Sequence, residues 1–93
     1  MTHDVRITLD GLRTLDTLPY LTRKAALAVL HRGLSRDPVN VGVPLVGPLE
    51  GLRVVVRGDH RIVYRIGAAT EAETVAVLAV FRPRSTWPGG GGR

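Results

Sequence analysis

Three consecutive runs of extended-chain character, residues 52–57, 60–66 and 74–81, fill the second half of the chain. Only Gly58-Asp59 and a break at residues 67–70 separate them. Strands this close in sequence are joined by tight reversals, so they predict an antiparallel meander. In the first run Leu52, Val54 and Val56 alternate with Arg53, Val55 and Arg57; in the second, Ile62, Tyr64 and Ile66 alternate with Arg61, Val63 and Arg65. The third run is almost wholly apolar, as a central strand covered on both faces would be.

The first half reads differently. Residues 3–9 place Val5, Ile7 and Leu9 on one side of an extended chain, the period of a short half-buried strand. Asp10 is placed to cap a short helix carrying Leu12, Leu15 and Leu18 at helical spacing, weakened by Gly11. Pro19 suits the first turn of a second helix over residues 20–36, where Ala26, Leu27, Leu30 and Leu34 form an apolar stripe, and Asp37-Pro38 stops it. Residues 39–51 hold Pro44, Pro48, Gly42, Gly47 and Gly51, which predicts an irregular crossing. The order strand-helix-helix-strand-strand-strand specifies a small α+β single domain, with both helices packed on one face of an antiparallel C-terminal meander. Residues 1–87 form that domain. Pro88 and the glycines that follow make residues 88–93 a flexible Gly-rich tail.

At 93 residues and 44% hydrophobic composition the chain holds one ordinary domain and is too apolar to be disordered. It has no cysteine, which excludes disulfides, thiol nucleophiles and cysteine-ligated zinc. No histidine pairs with a nearby carboxylate at ligand spacing, so no metal and no cofactor is expected. The first ten residues lack the apolar core of a secretory signal, and no apolar run approaches the roughly 20 residues of a membrane span. A cytoplasmic protein is expected.

Lys and Arg total 13 against 8 Asp and Glu, a formal charge of +5, and Lys24 is the only lysine. Arginine forks onto phosphate and stays charged at any relevant pH, so the excess points to an anionic partner, nucleic acid first. Where the arginines fall depends on the register of the hairpin. A two-residue turn at Gly58-Asp59 would pair Val56 with Arg61 and set charge beside apolar groups. A three-residue loop over residues 57–59 pairs Val56 with His60, Val54 with Ile62 and Leu52 with Tyr64, and gathers the apolar side chains on one face. That second register is the expectation. It leaves an open face presenting Arg53, Val55, Arg61, Val63 and Arg65, with Arg57 at the loop. Beyond the last strand, Arg82, Arg84 and Trp87 suit phosphate contact and base stacking.

The stretch PLVGPLEGLRVVVRGDHRIVYRI, followed by VAVLAVFRPR and an aromatic residue, resembles the RelE/ParE superfamily of type II toxin-antitoxin toxins. The similarity extends to the opening strand, the LPYLTRKA segment and the Arg-Asp-Pro stop. It implies the RelE-like fold and an mRNA interferase, a ribosome-dependent endoribonuclease that inhibits translation, with a cognate antitoxin, the ribosome and mRNA as partners. The resemblance places Arg53 at the basic position of the second strand, Arg61 at the hairpin arginine and Arg82 after the last strand as the catalytic set. Arg57, Arg65, Arg84 and Trp87 become RNA-binding residues. Val55 stands where better-known enzymes carry a second lysine, His60 where they carry the hairpin tyrosine, and Trp87 in place of a C-terminal tyrosine.

Metal-free RNA cleavage uses the substrate's 2′-OH against the adjacent phosphate, with a protein base, an acid and charge stabilisation. The arginines supply the charge. His60 is the histidine beside them and the candidate base, although the expected register turns it to the apolar face. Two other readings accommodate the missing lysine and tyrosine: a ParE-like DNA gyrase poison, and an inactive toxin-fold protein that only binds an antitoxin.

Overall fold

The computed structural model describes residues 3–67 and 74–82. Strand β1 (Asp4–Ile7) leads into helix α1 (Leu9–Asp16). Helix α2 (Tyr20–Val29) continues into a π-helical turn at Leu30–Leu34. Thr8, not Asp10, caps α1: its hydroxyl accepts from the Gly11 amide at 3.0 Å and donates to the Val77 carbonyl at 2.9 Å. One side chain thereby closes the helix and ties it to the sheet. The crossing at residues 39–51 is more regular than its Pro and Gly content suggests. It contains a short helix α3 (Pro38–Val41), a two-residue strand β2 (Val43–Pro44) and a 3₁₀ turn at Gly47–Leu49. Strands β3 (Arg53–Arg57), β4 (His60–Ile66) and β5 (Thr74–Phe81) follow.

The five strands lie in the order β1-β5-β4-β3-β2. Strand β5 is interior, antiparallel to β4 and parallel to β1, as its apolar sequence requires. Leu15, Leu18, Ala26, Leu30 and Leu34 from the helices pack on Val55, Ile62, Tyr64, Val75, Val77 and Val80, the core on one face of the sheet. Gly11 earns its place here, because a Cβ would lie 2.5 Å from the Val77 carbonyl oxygen. Its absence lets α1 sit directly on β5. Strand β4 is anchored at the other side, where the buried Tyr64 hydroxyl donates to the Pro38 carbonyl at 2.6 Å.

The hairpin register differs from the expected one. Val56 pairs with Arg61, Val55 with Ile62 and Arg53 with Tyr64, joined by a two-residue turn at Gly58-Asp59. Gly58 has φ +54° and, among the described residues, no non-glycine has positive φ, the pattern of a type II′ turn, whose twist matches the flanking strands. The expected register rested on gathering every apolar side chain on one face. The sheet instead buries apolar groups on both: Val63, between Val54 and Ala79 on the face that carries no helix among the described residues, is only 1% exposed, and Ala79 is fully buried.

Candidate functional site

The register sorts the arginines. On β3, Arg53, Val55 and Arg57 share the helix-facing side with His60, Ile62 and Tyr64 of β4, whereas Val54 and Val56 share the open face with Arg61, Val63 and Arg65. The expected open-face cluster is therefore corrected in two members. Val55 is buried in the core, and Arg53 is half-buried with its Nη2 donating to the Val39 carbonyl and, at 3.2 Å, to the Gly42 carbonyl. Arg53 clamps the chain around α3 and lies across the sheet from Arg61.

Two basic groups remain on the open face of β4. Arg61 is half-buried, its Nε enclosed without a hydrogen-bond partner, and Arg65 is exposed. No ion pair engages either among the described residues. Arg61 stands opposite Phe81 on β5 and Val56 on β3. Two unneutralised guanidinium groups on one side of a strand repel each other through a partly desolvated surface, an arrangement that an anion relieves.

A second group forms at the hairpin tip on the helix side. The Asp59 carboxylate accepts from the Thr22 hydroxyl of α2 at 3.2 Å. It lies 3.8 Å from Arg82 Nη2 and 3.6 Å from His60 Nδ1. Partial desolvation works to raise the Asp59 pKa, but the His60 ring, the Thr22 hydroxyl, its own backbone amide and the Arg82 charge outweigh it and hold the carboxyl below its ordinary value. From the sequence Asp59 reads as a turn residue. The signal for more was its position beside His60, but the contact from Thr22 depends on how α2 crosses the sheet. His60 itself is 2% exposed, and neither ring nitrogen has a hydrogen-bond partner. Arg57 is exposed and donates to the Val56 carbonyl at 3.0 Å. Arg84, Trp87 and the tail lie outside the described residues. Among the described residues no three of His, Cys, Asp and Glu gather as a metal ion would require, and no helix is long and apolar enough to cross a membrane.

Comparison with known proteins gives this arrangement its context. No protein-family model matches the chain. It is 38% identical over 80 residues to toxin RelG of Mycobacterium tuberculosis, covering 86% of this chain and 90% of that protein. The chain belongs to the RelE family of type II toxin-antitoxin toxins. Toxin RelE of the same organism is 38% identical over 64 residues, 69% of this chain and 66% of that protein. Among solved structures, the M. tuberculosis toxin-antitoxin complex RelBE2 contains a chain that superposes with a TM-score of 0.82 at 35% identity, covering 88% of this chain and 99% of that one. The α+β sheet with its helices on one face is thus the RelE-like fold. In this RelE-family chain the register partners of Arg61 on the open face are Val56 of β3 and Phe81 of β5, and both basic residues of β3, Arg53 and Arg57, lie on the other side.

Proposed function

We propose that this RelE-family toxin is an mRNA interferase, an endoribonuclease that cuts messages on the ribosome and so inhibits translation. The observation that carries the reading is the pair of unneutralised arginines, Arg61 and Arg65, on the helix-free face. In an RNA strand seated there the 2′-oxygen attacks the adjacent phosphorus as the bond from phosphorus to the 5′-oxygen of the next nucleotide breaks, leaving a 2′,3′-cyclic phosphate and a 5′-hydroxyl; the 2′ proton passes to solvent and the leaving oxygen takes one from it, while Arg61 stabilises the charge that builds on the phosphorane oxygens. Arg82 lies beside Asp59 on the helix side of the hairpin tip, at the end of β5, and serves as a second cation only once it leaves that carboxylate and reaches the open face. Arg57, Arg65, Arg84 and Trp87 extend the contact to neighbouring nucleotides. Arg53 contributes through the fold. His60 serves as base only if the hairpin tip opens, because its ring is enclosed on the opposite side of the sheet from Arg61. The reaction uses no metal.

The partner in the cell is a cognate antitoxin, in keeping with the toxin-antitoxin complex to which this chain is similar. Leu9 and Leu12 of α1 and Tyr20 and Leu21 of α2 are exposed, and an amphipathic antitoxin helix laid across the two helices would cover them.

Val56 beside Arg61, and Val55 in place of a lysine, favour two other readings, a ParE-like gyrase poison and a toxin-fold protein that only binds its antitoxin, since neither requires a base. Brief induction of the chain, with mapping of new 5′ ends on cellular mRNA and Arg61→Ala as control, separates them. Codon-phased cuts on translated messages, lost in the control, are the expected result. Growth arrest with intact mRNA would replace the interferase with the gyrase poison.

A further inference from the structure

The open face carries a third arginine, contributed by the other end of the sheet. Arg6 of β1 and Arg65 of β4 are both register partners of the same β5 residue, Ala76, one through the parallel ladder and the other through the antiparallel one. The three residues form a row across the sheet with a methyl group in the middle and a guanidinium on each side. The row opens into a groove of about 440 Å³ lined by Arg6, Arg65, Ala76, Thr74, Gly67 and Thr8. Small side chains at its centre leave depth between the two cations. Strand neighbours lie about 4.8 Å apart, so the two Cα atoms stand roughly 10 Å from each other, within the reach of two arginine side chains that converge on one tetrahedral anion.

The charge balance favours such an anion. Arg65 is exposed and has no ion-pair partner among the described residues. Arg6 is engaged only through Nε, which donates to Asp4 Oδ2 at 2.8 Å, and its side chain is 74% exposed. That contact leaves its two terminal nitrogens without a hydrogen bond among the described residues. An exposed pair of this kind is worth little by itself, so an incoming anion competes easily for the arginine.

We propose that Arg6 and Arg65 form a distal phosphate site that holds one backbone phosphodiester of single-stranded RNA over Ala76. The site deepens the interferase reading and rests on it. Arg65 lies four residues along β4 from Arg61, about 13 Å at strand rise, so this phosphate is not the one cleaved. Its role is to fix the direction of the strand across the sheet.

The test is fluorescence anisotropy of a labelled single-stranded 2′-O-methyl oligoribonucleotide, which lacks the free 2′-OH needed for cleavage, titrated with the full chain at a series of salt concentrations. Each phosphate neutralised on a single strand contributes about 0.7 to the slope of log affinity against log salt. Arg6→Ala and Arg65→Ala should each lower the slope, and the double variant should lower it by about 0.7 in all, because both arginines hold one phosphate. Arg65→Lys should retain most of the slope. Unchanged slopes in all three alanine variants, or a double variant that loses about 1.4, would overturn the shared site. If the wild type binds and Arg61→Ala alone weakens it, the distal site fails and the RNA reading stands. A wild type with no salt-dependent binding overturns both.

Discussion

Replacing Arg53 and Arg61 separately by alanine distinguishes the two sides of the sheet, because the structure gives these residues opposite work. Arg53 holds the Val39 carbonyl within α3 and the Gly42 carbonyl just past its end, and its stem lies beside Tyr64. Hydrogen bonds from a charged donor are worth about 1.5–3 kcal/mol net; one of these is exposed and the other partly buried, so the lower part of that range applies, about 1.5–2 kcal/mol for Arg53→Ala. In a domain of this size that is a fall in Tm of about 6–16 °C. Arg61 has no partner to lose, and Arg61→Ala should change stability by no more than about 0.5 kcal/mol. Urea denaturation of the purified variants measures both, and growth arrest on induction provides the second readout. Toxicity of Arg53→Ala should return as the growth temperature is lowered, whereas Arg61→Ala should be inactive at every temperature. Wild-type stability in Arg53→Ala, with the loss in Arg61→Ala instead, would refute the two-residue turn and restore the register in which Arg53 faces solvent.

Two further outcomes follow from the hairpin tip. Gly58→Ala, which forces a side chain into a backbone with φ +54°, should cost about 1–2 kcal/mol in denaturant unfolding with an unchanged m-value, and an unaltered midpoint would remove the type II′ turn from the argument. Asp59→Asn should flatten the acid limb of stability. The Asp59 carboxyl is held below its ordinary value of 3.8 when folded, so its contribution is complete above that pH and is lost as pH falls through the lower, folded value. Denaturation profiles of wild type and variant should therefore converge in acid, and parallel profiles across that window would contradict it.

Much of the architecture was legible in the sequence because it depends on period and punctuation. The alternation in residues 60–66, the apolar run on β5 and the helical stripe of Ala26, Leu30 and Leu34 all report local burial, and each lies where its pattern placed it, whereas on β3 the buried residue is Val55 and not Val54 or Val56. What the pattern could not carry was a choice of one residue in register. The expected register treated a valine as a marker of the helix-facing side, but the helix-free face is also partly dry, and Val54 and Val63 belong to it. Gly58-Asp59 was itself the stronger signal, since a glycine at the first of two turn positions suits the type II′ turn directly. The site inherited that error: Arg61 and Arg65 share the open face as expected, while Arg53 does not. Arg6 was passed over because its row with Arg65 exists only through β5, nearly the whole chain away in sequence.

The sorted arginines bear on how an interferase of this kind would work. On the open face Arg61 stands between Val56 and Phe81, and the enclosed imidazole of His60 lies on the other side of the strand layer. In such an interferase Arg61 would bring charge to a phosphate, with no proton acceptor of β3 or β4 beside it. Removing a single charge-stabilising donor commonly costs about 10²–10³ in rate, so Arg61 can supply a large factor alone. The remaining barrier is one of orientation: the 2′-OH must lie in line with the bond that breaks, and a flexible message rarely adopts that geometry by itself. A site with charge but little base therefore gains most from a substrate already held in shape. A message fixed by a larger assembly meets that need, and a distal phosphate gripped by Arg6 and Arg65 would set its direction over the sheet. On this reading naked RNA is bound but cut slowly, and the same Arg61-dependent cuts become fast only on messages under translation.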